Sequence, residues 1–208
     1  MIKRKKNINI TAVILTYNEE LHIGRCIKAL KSFVKEIIVI DSNSNDNTIK
    51  ICKQNKIRIY NNKFINQAKQ MNWALKNVPI KTKWIFRIDA DEIVENSFFN
   101  KVGYLIEYKK NISGILIERK IKFLNKIINY GLTSPHKTLR IWRNGYCKYQ
   151  NLNVDEQAEV KGKIYLSNAI IIDHNLKSFY WWLNKHNDYA RRETKNYFLY
   201  KNKNKTKK

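Results

Sequence analysis

Three apolar runs in the amino-terminal half of the chain each stop at a polar, acid-containing tip. Ile8-Asn9-Ile10-Thr11-Ala12-Val13-Ile14-Leu15 runs into Thr16-Tyr17-Asn18-Glu19-Glu20, and Glu36-Ile37-Ile38-Val39-Ile40 ends in Asp41-Ser42-Asn43-Ser44-Asn45-Asp46. The last, Trp84-Ile85-Phe86-Arg87-Ile88, ends in Asp89-Ala90-Asp91-Glu92. A strand closing on two carboxylates one residue apart delivers both to the carboxyl edge of a sheet, where open α/β folds bind their ligands.

Helical patterns separate these runs. Leu21, Cys26, Ile27, Leu30 and Phe33 recur at near-helical spacing and predict a helix over 19–32, with Asn18 as its N-cap. A short helix over 47–54 leads to a strand over 58–60. Asn66 then caps a helix whose apolar face is Ala68, Met71, Leu75 and Val78 and which stops at Pro79. Strand and helix in strict alternation predict a mostly parallel, Rossmann-like sheet with helices on both faces.

The second half is less regular. A helix over 97–109 is expected, then strands over 113–117, 137–142 and 169–173, separated by Gly131, Pro135, Gly145 and Gly162. Phe179, Trp182, Leu183, His186, Tyr189, Ala190 and Tyr197 then mark a carboxyl-terminal amphipathic helix. Residues 1–178 therefore read as one domain. Residues 179–208 read as a basic helix ending in Lys201-Asn202-Lys203-Asn204-Lys205-Thr206-Lys207-Lys208, a tail too polar to bury anything and expected to be disordered.

With 208 residues and 43% hydrophobic side chains the chain can bury a proper core. Lys and Arg number 41 against 17 Asp and Glu, a formal charge of +24, so the surface must attract polyanions. Cys26, Cys52 and Cys147 have no metal or redox spacing and read as small buried hydrophobes in a reducing compartment. Lys3, Arg4, Lys5 and Lys6 precede an apolar stretch, but Asn7, Asn9 and Thr11 interrupt it, which predicts a first strand rather than a secretory signal.

Ala12-Val13-Ile14-Leu15-Thr16-Tyr17-Asn18-Glu19-Glu20, Ile38-Val39-Ile40-Asp41-Ser42-Asn43-Ser44-Asn45-Asp46-Asn47-Thr48, Ala68-Lys69-Gln70-Met71-Asn72-Trp73-Ala74-Leu75 and Arg87-Ile88-Asp89-Ala90-Asp91-Glu92, in this order and spacing, resemble the family 2 glycosyltransferases of the GT-A fold. Phe123-Leu124-Asn125-Lys126, Lys137-Thr138-Leu139-Arg140-Ile141-Trp142 and Val154-Asp155-Glu156 resemble the bacterial members that glycosylate the inner core of lipopolysaccharide or lipooligosaccharide. The resemblance implies a metal-dependent, inverting transfer from a nucleotide sugar, in particular a UDP-hexose, to a lipid-linked or core oligosaccharide at the cytoplasmic membrane face.

It also implies roles for residues. Asp91 would hold Mn²⁺ or Mg²⁺, which suit oxygen ligands, and Asp89 would contact the ribose or reach the metal through water. His174 could add a nitrogen ligand, or be a hydrogen-bonded structural residue. Thr16 and Tyr17, with Asn18, Ser42 and Ala90 beside the motif residues, would frame the nucleotide; Asp41 would accept from a uracil N–H. Glu19 would reach the ribose, unless it is a first-turn acid interacting with a helix dipole. Lys69 would meet the diphosphate, or be one more solvated lysine. The base that takes the acceptor proton would be Glu156 ahead of Asp155, which stands where related enzymes carry His.

Two other readings compete. A nucleotidyltransferase also uses an open α/β sheet with metal-binding carboxylates, but it calls for a Gly-rich loop after the first strand, and residues 16–20 contain no Gly. A nucleic-acid binder would account for the charge, yet no helix-turn-helix, RRM or zinc pattern is present, so no nucleic-acid partner is expected. Arg191, Arg192 and the lysine tail, beside Trp and Tyr residues, suggest instead a peripheral contact with anionic lipid.

Overall fold

The structure, a computed structural model, describes residues 8–131, 134–150 and 158–205. Four parallel strands form one half of the central sheet: β1 (Ile8–Thr16), β2 (Val34–Asp41), β3 (Arg58–Asn61) and β4 (Trp84–Asp89). They are joined by α1 (Ile23–Leu30), α2 (Thr48–Gln54) and α3 (Gln67–Asn77). The other half is built from β5 (Glu92–Val94), α4 (Phe98–Tyr108), β6 (Ile112–Phe123), β7 (Lys126–Ile128), β8 (His136–Arg143) and β11 (Lys163–Asp173). β9 (Cys147–Tyr149) and β10 (Ala158–Val160) pair separately, and α5 (Phe179–Lys205) closes the described chain.

The strand order is β3-β2-β1-β4-β8-β6-β11-β5, with β7 paired to β6. β8 is antiparallel to both β4 and β6, so β6 runs in the direction of β4, and β11 is parallel to β6. The carboxyl ends of β1, β2, β4, β6 and β11 therefore share one edge. Register aligns Thr16 with Asp41 and Leu15 with Asp89 along it.

Side-chain alternation along β1 splits the core in two. Ile10, Ala12 and Ile14 face α1 and α4, where Ile23, Ile27, Leu30, Phe98 and Phe99 are fully buried. Val13 faces the opposite layer, with Ile38, Ile40 and the α3 residues Ala68, Met71 and Ala74. This is why the first strands read as unbroken apolar runs: both faces are covered.

The structure corrects three local expectations. Asn18 does not cap a helix; it sits in the left-handed region at φ 53°, and α1 opens only at Ile23. The reason is that the loops after β1 and β2 are stitched together. Asn18 N–H donates to Ser44 Oγ (2.9 Å), Glu19 N–H to Thr48 Oγ1 (2.7 Å) and Glu20 N–H to Asp46 (3.0 Å), while Asn18 Oδ1 accepts from Asn45 N–H (2.9 Å). Amides that an early helix start would orphan are satisfied between loops instead. Asn66 does cap α3, its side chain accepting from Lys69 N–H.

Third, the helix at the carboxyl end continues through Lys205, into residues expected to be disordered. Once a helix is nucleated each added residue gains one hydrogen bond, and lysine is a good helix former. The sheet itself is also more mixed in its second half than strict alternation implies. No described helix is long and apolar enough to cross a membrane.

Candidate active site

The shared carboxyl edge concentrates charge. Arg87 donates to Asp89 Oδ1 (3.3 Å) and to Gln67 (2.6 Å), while both terminal nitrogens of Arg140 reach Asp89 Oδ2 (3.2 Å). Arg140 also donates to Glu92 Oε1 (2.5 Å), which accepts from Arg119 Nε (3.1 Å); the other arm of Arg119 pairs with Asp173. Glu92 Oε2 accepts the Asp89 backbone N–H (2.9 Å), tying the tip of β4 to the first residue of β5. Three guanidiniums thus meet three carboxylates around the end of β4.

The carboxyls are unequal. Burial pushes Glu92 up to about 7, against the pull of Arg140 and Arg119. At Asp89 burial also opposes ionisation, but Arg87 and Arg140 outweigh it and hold the group well below the usual carboxylate range. Asp173 is raised by burial and by the neighbouring charge of Asp91.

Asp91 lies outside this compensation. It is half-buried, and Oδ2 accepts from Asn175 Nδ2 (2.9 Å), leaving Oδ1 as an open acceptor among the described residues. Its backbone carbonyl accepts from His174 N–H (3.0 Å) and from Arg25 (3.0 Å). Arg25 also donates to the His174 carbonyl and to His174 Nδ1 (3.1 Å). A guanidinium can only donate, so Nδ1 is the acceptor and the neutral ring carries its proton on Nε2. Burial, with Lys122 and Arg25 nearby, lowers the His174 pKa and favours that neutral form.

The structure therefore brings Asp89, Ala90, Asp91 and His174 together. An open, partly solvated carboxylate oxygen on Asp91 fits a hard divalent cation, whereas in this arrangement neither nitrogen of His174 presents a free lone pair. Among the described residues no group of three His, Cys, Asp or Glu side chains forms a metal cage. Asp155 and Glu156 lie outside the described residues.

The expected nucleotide contacts flank this point. Thr16 donates to Asp41 Oδ1 (2.9 Å), which also accepts from Ser44 Oγ (2.6 Å), and Ser44 N–H reaches Oδ2 (2.8 Å). Asp41 is fully buried as a result, and Ser42 Oγ accepts from Gln70 (3.0 Å). Tyr17 is exposed at the edge, and Lys69 is exposed in the first turn of α3. Glu19 is already partnered: it accepts from His22 Nδ1 (2.6 Å) and Lys177 (3.1 Å), while His22 Nε2 accepts from Leu176 N–H (2.8 Å). His22, Glu19 and Arg25 thereby pin residues 174–177 onto the start of α1.

Sequence reading overlooked the arginines. Arg87 and Arg140 each interrupt an otherwise apolar strand, and a cation inside a buried strand must find a carboxylate; that was the available signal. Arg25, Asn175 and Lys177 carried none, because Asp91, His174 and Glu19, which they reach, are remote in sequence; His22 lies three residues from its partner Glu19, but its contact with Leu176 is equally remote.

Comparison with known proteins places the fold. The sequence pattern described as "Glycosyl transferase family 2" matches residues 11–156. An uncharacterized glycosyltransferase of Rickettsia typhi is 23% identical over 197 residues, covering 89% of this chain and 67% of its own length. The lipopolysaccharide core biosynthesis glycosyltransferase LpsC of Rhizobium meliloti is 28% identical over 149 residues, covering 67% of this chain and 53% of its own. Among solved structures, Staphylococcus aureus TarS 1-349 in complex with UDP-GlcNAc superposes with a TM-score of 0.54 at 16% identity. That superposition covers 81% of this chain, which spans 59% of the TarS chain. With the GT-A sheet, the acid-tipped strands and a family pattern running from β1 past β9, this chain belongs to glycosyl transferase family 2.

Proposed function

We propose that this protein transfers a hexose from a UDP-sugar, with inversion, to a hydroxyl of a lipid-linked or lipopolysaccharide-core oligosaccharide, using a divalent cation. The observation that carries the reading is the placement of Asp89-Ala90-Asp91 at the end of β4, beside Thr16 and Asp41 on the same edge, in a chain of this family. The name of LpsC supports a core-oligosaccharide acceptor, and the UDP-GlcNAc bound by TarS is consistent with a uridine donor.

In this reading Asp91 Oδ1 would hold the cation, which would supply Lewis-acid neutralisation of the charge on the diphosphate. Asp89 stays ionised because Arg87 and Arg140 clamp its oxygens, so it can accept from a ribose hydroxyl. Asn175 aims the Asp91 carboxylate, and Arg25 holds the backbone on either side of it. Lys69, exposed at the start of α3, supplies a cation to the diphosphate. Glu156, or Asp155, takes the acceptor proton as the oxygen attacks the anomeric carbon. The enzyme works at the inner face of the cytoplasmic membrane as a peripheral protein.

The test is a screen of nucleotide sugars, UDP-glucose and UDP-galactose first, for nucleotide release with Mn²⁺, Mg²⁺ or chelator. Release that requires a divalent ion and is lost in Asp91→Asn supports the reading. Turnover unaffected by chelation and by Asp91→Asn would sink the cation assignment, and silence with every nucleotide sugar would sink the transferase reading.

A further inference from the structure

The hairpin formed by β6 and β7 carries an apolar tip that is exposed among the described residues. Phe123 pairs with Lys126, so Leu124 and Asn125 form a two-residue turn, with φ 44° and 63°. Two positive φ values in such a turn favour Asn, Asp or Gly. A leucine there sits in a strained backbone conformation, and its side chain gains no burial in return, being 73% exposed. Ile127 and Tyr130, the latter 91% exposed, continue the apolar surface along the hairpin.

The hairpin base is held firmly. Ser134 Oγ accepts from Ile121 N–H (3.1 Å) and donates to the Ile128 carbonyl (2.6 Å), so the tip projects from a braced stem. Phe123 packs against Phe179 and Trp182 of α5, with ring centroids 6.1 and 5.0 Å apart. Beside this contact Phe179 and Tyr180 remain 52% and 73% exposed. Through Phe123 the hairpin tip and the first helical turns adjoin, and Lys122 and Lys126 flank the tip; Lys177 and Lys185 turn inward instead, Lys177 to Glu19 and Lys185 toward Asp91 and Asp173. An apolar centre flanked by ammonium groups matches the boundary of an anionic bilayer, where aromatic and leucine side chains enter the acyl region and lysines meet the headgroups.

Position adds a reason. Ile121 is in register with Asp173, so the tip extends beyond the edge that carries Asp91 and His174. We propose that the β6–β7 hairpin tip at Leu124, together with the first turns of α5, docks the protein on an anionic lipid surface and turns the catalytic edge toward it. The inference deepens the peripheral-membrane part of the proposed function but does not depend on the transfer chemistry.

Flotation of the full chain with phosphatidylcholine vesicles, with and without phosphatidylglycerol, tests it. Wild-type protein should bind the anionic vesicles, more weakly as salt rises, and the neutral ones far less. Leu124→Asn suits the turn, so thermal stability should hold or rise, while partitioning falls about tenfold from the lost leucine burial. Leu124→Phe should retain binding. Lys122→Gln and Lys126→Gln should each weaken it by about fivefold on anionic vesicles only. Unchanged partitioning of Leu124→Asn, or equal binding to both vesicle types, would overturn the proposal. A dimer in lipid-free solution that Leu124→Asn converts to monomer would reassign the surface to self-association. Nucleotide release on a soluble acceptor is measured in parallel: loss of release with docking intact defeats the transfer reading alone, and the reverse defeats only this one.

Discussion

Replacing Arg140 by Met should be among the most damaging single changes outside the apolar core. The Arg140 side chain is 7% exposed and bridges Glu92, 1% exposed, to Asp89, 28% exposed. Removing one partner of a buried ion pair costs about 3–5 kcal/mol, because a charge is left behind without compensation. Here Arg119 still reaches Glu92 and Arg87 still reaches Asp89, so the low end applies, about 3 kcal/mol. For a domain of this size that lowers Tm by about 6–12 °C. The pH dependence identifies the cause. Glu92 already titrates near 7 in the fold, raised by burial above its unfolded value near 4.5, and losing Arg140 raises it further. A carboxyl raised in the native state binds more protons folded than unfolded, so stability falls as pH climbs between the two values. The Arg140→Met defect should accordingly stay constant from about pH 5 to about pH 7, where Glu92 is protonated in both folded proteins, and grow from about pH 7 to about pH 9, with Glu92→Gln rescuing much of it at the upper end. Urea unfolding of the single and double variants across that range is the assay. A loss under about 1 kcal/mol at all pH values, or a double variant no better than Arg140→Met, would refute the compensated-network account.

Asp91→Asn should reduce nucleotide release by about 100-fold or more with an unchanged melting temperature, since several kcal/mol of charge stabilisation are removed at an open carboxylate. Glu156→Gln should lower transfer by about 100-fold while donor binding, followed by calorimetry, survives; a silent Glu156→Gln with a damaging Asp155→Asn would exchange the two roles. Asp89, held ionised by Arg87 and Arg140, contributes stability that is present above its ordinary value near 3.8 and lost as pH falls below it. Asp89→Asn should therefore flatten the acid limb of a stability-against-pH curve, and a limb of unchanged slope would show that the clamp adds nothing.

Local pattern carried the parallel half of the fold. Apolar runs of strand length, the Asn66 cap and the acid tips at Asp41 and Asp89 are short-range signals, and each element they mark is present, because both faces of those strands are covered and solvent imposes no alternation. The motif order also pointed to the family. Short strands such as β5, β7 and β9 were not legible, since three residues cannot establish a period. Asn18 shows a different limit: its residue type is a good cap, but hydrogen bonds from the loop after β2 decided its conformation. The site divides in the same way. Which carboxylates reach the edge is a property of strand ends and was read directly; which of them keep an open oxygen depended on Arg25, Arg119, Arg140 and Asn175, brought in by α1, β6, β8 and the segment after β11. Charge compensation acts through space over a few ångströms, so only the tertiary structure could separate the clamped Asp89 from the open Asp91.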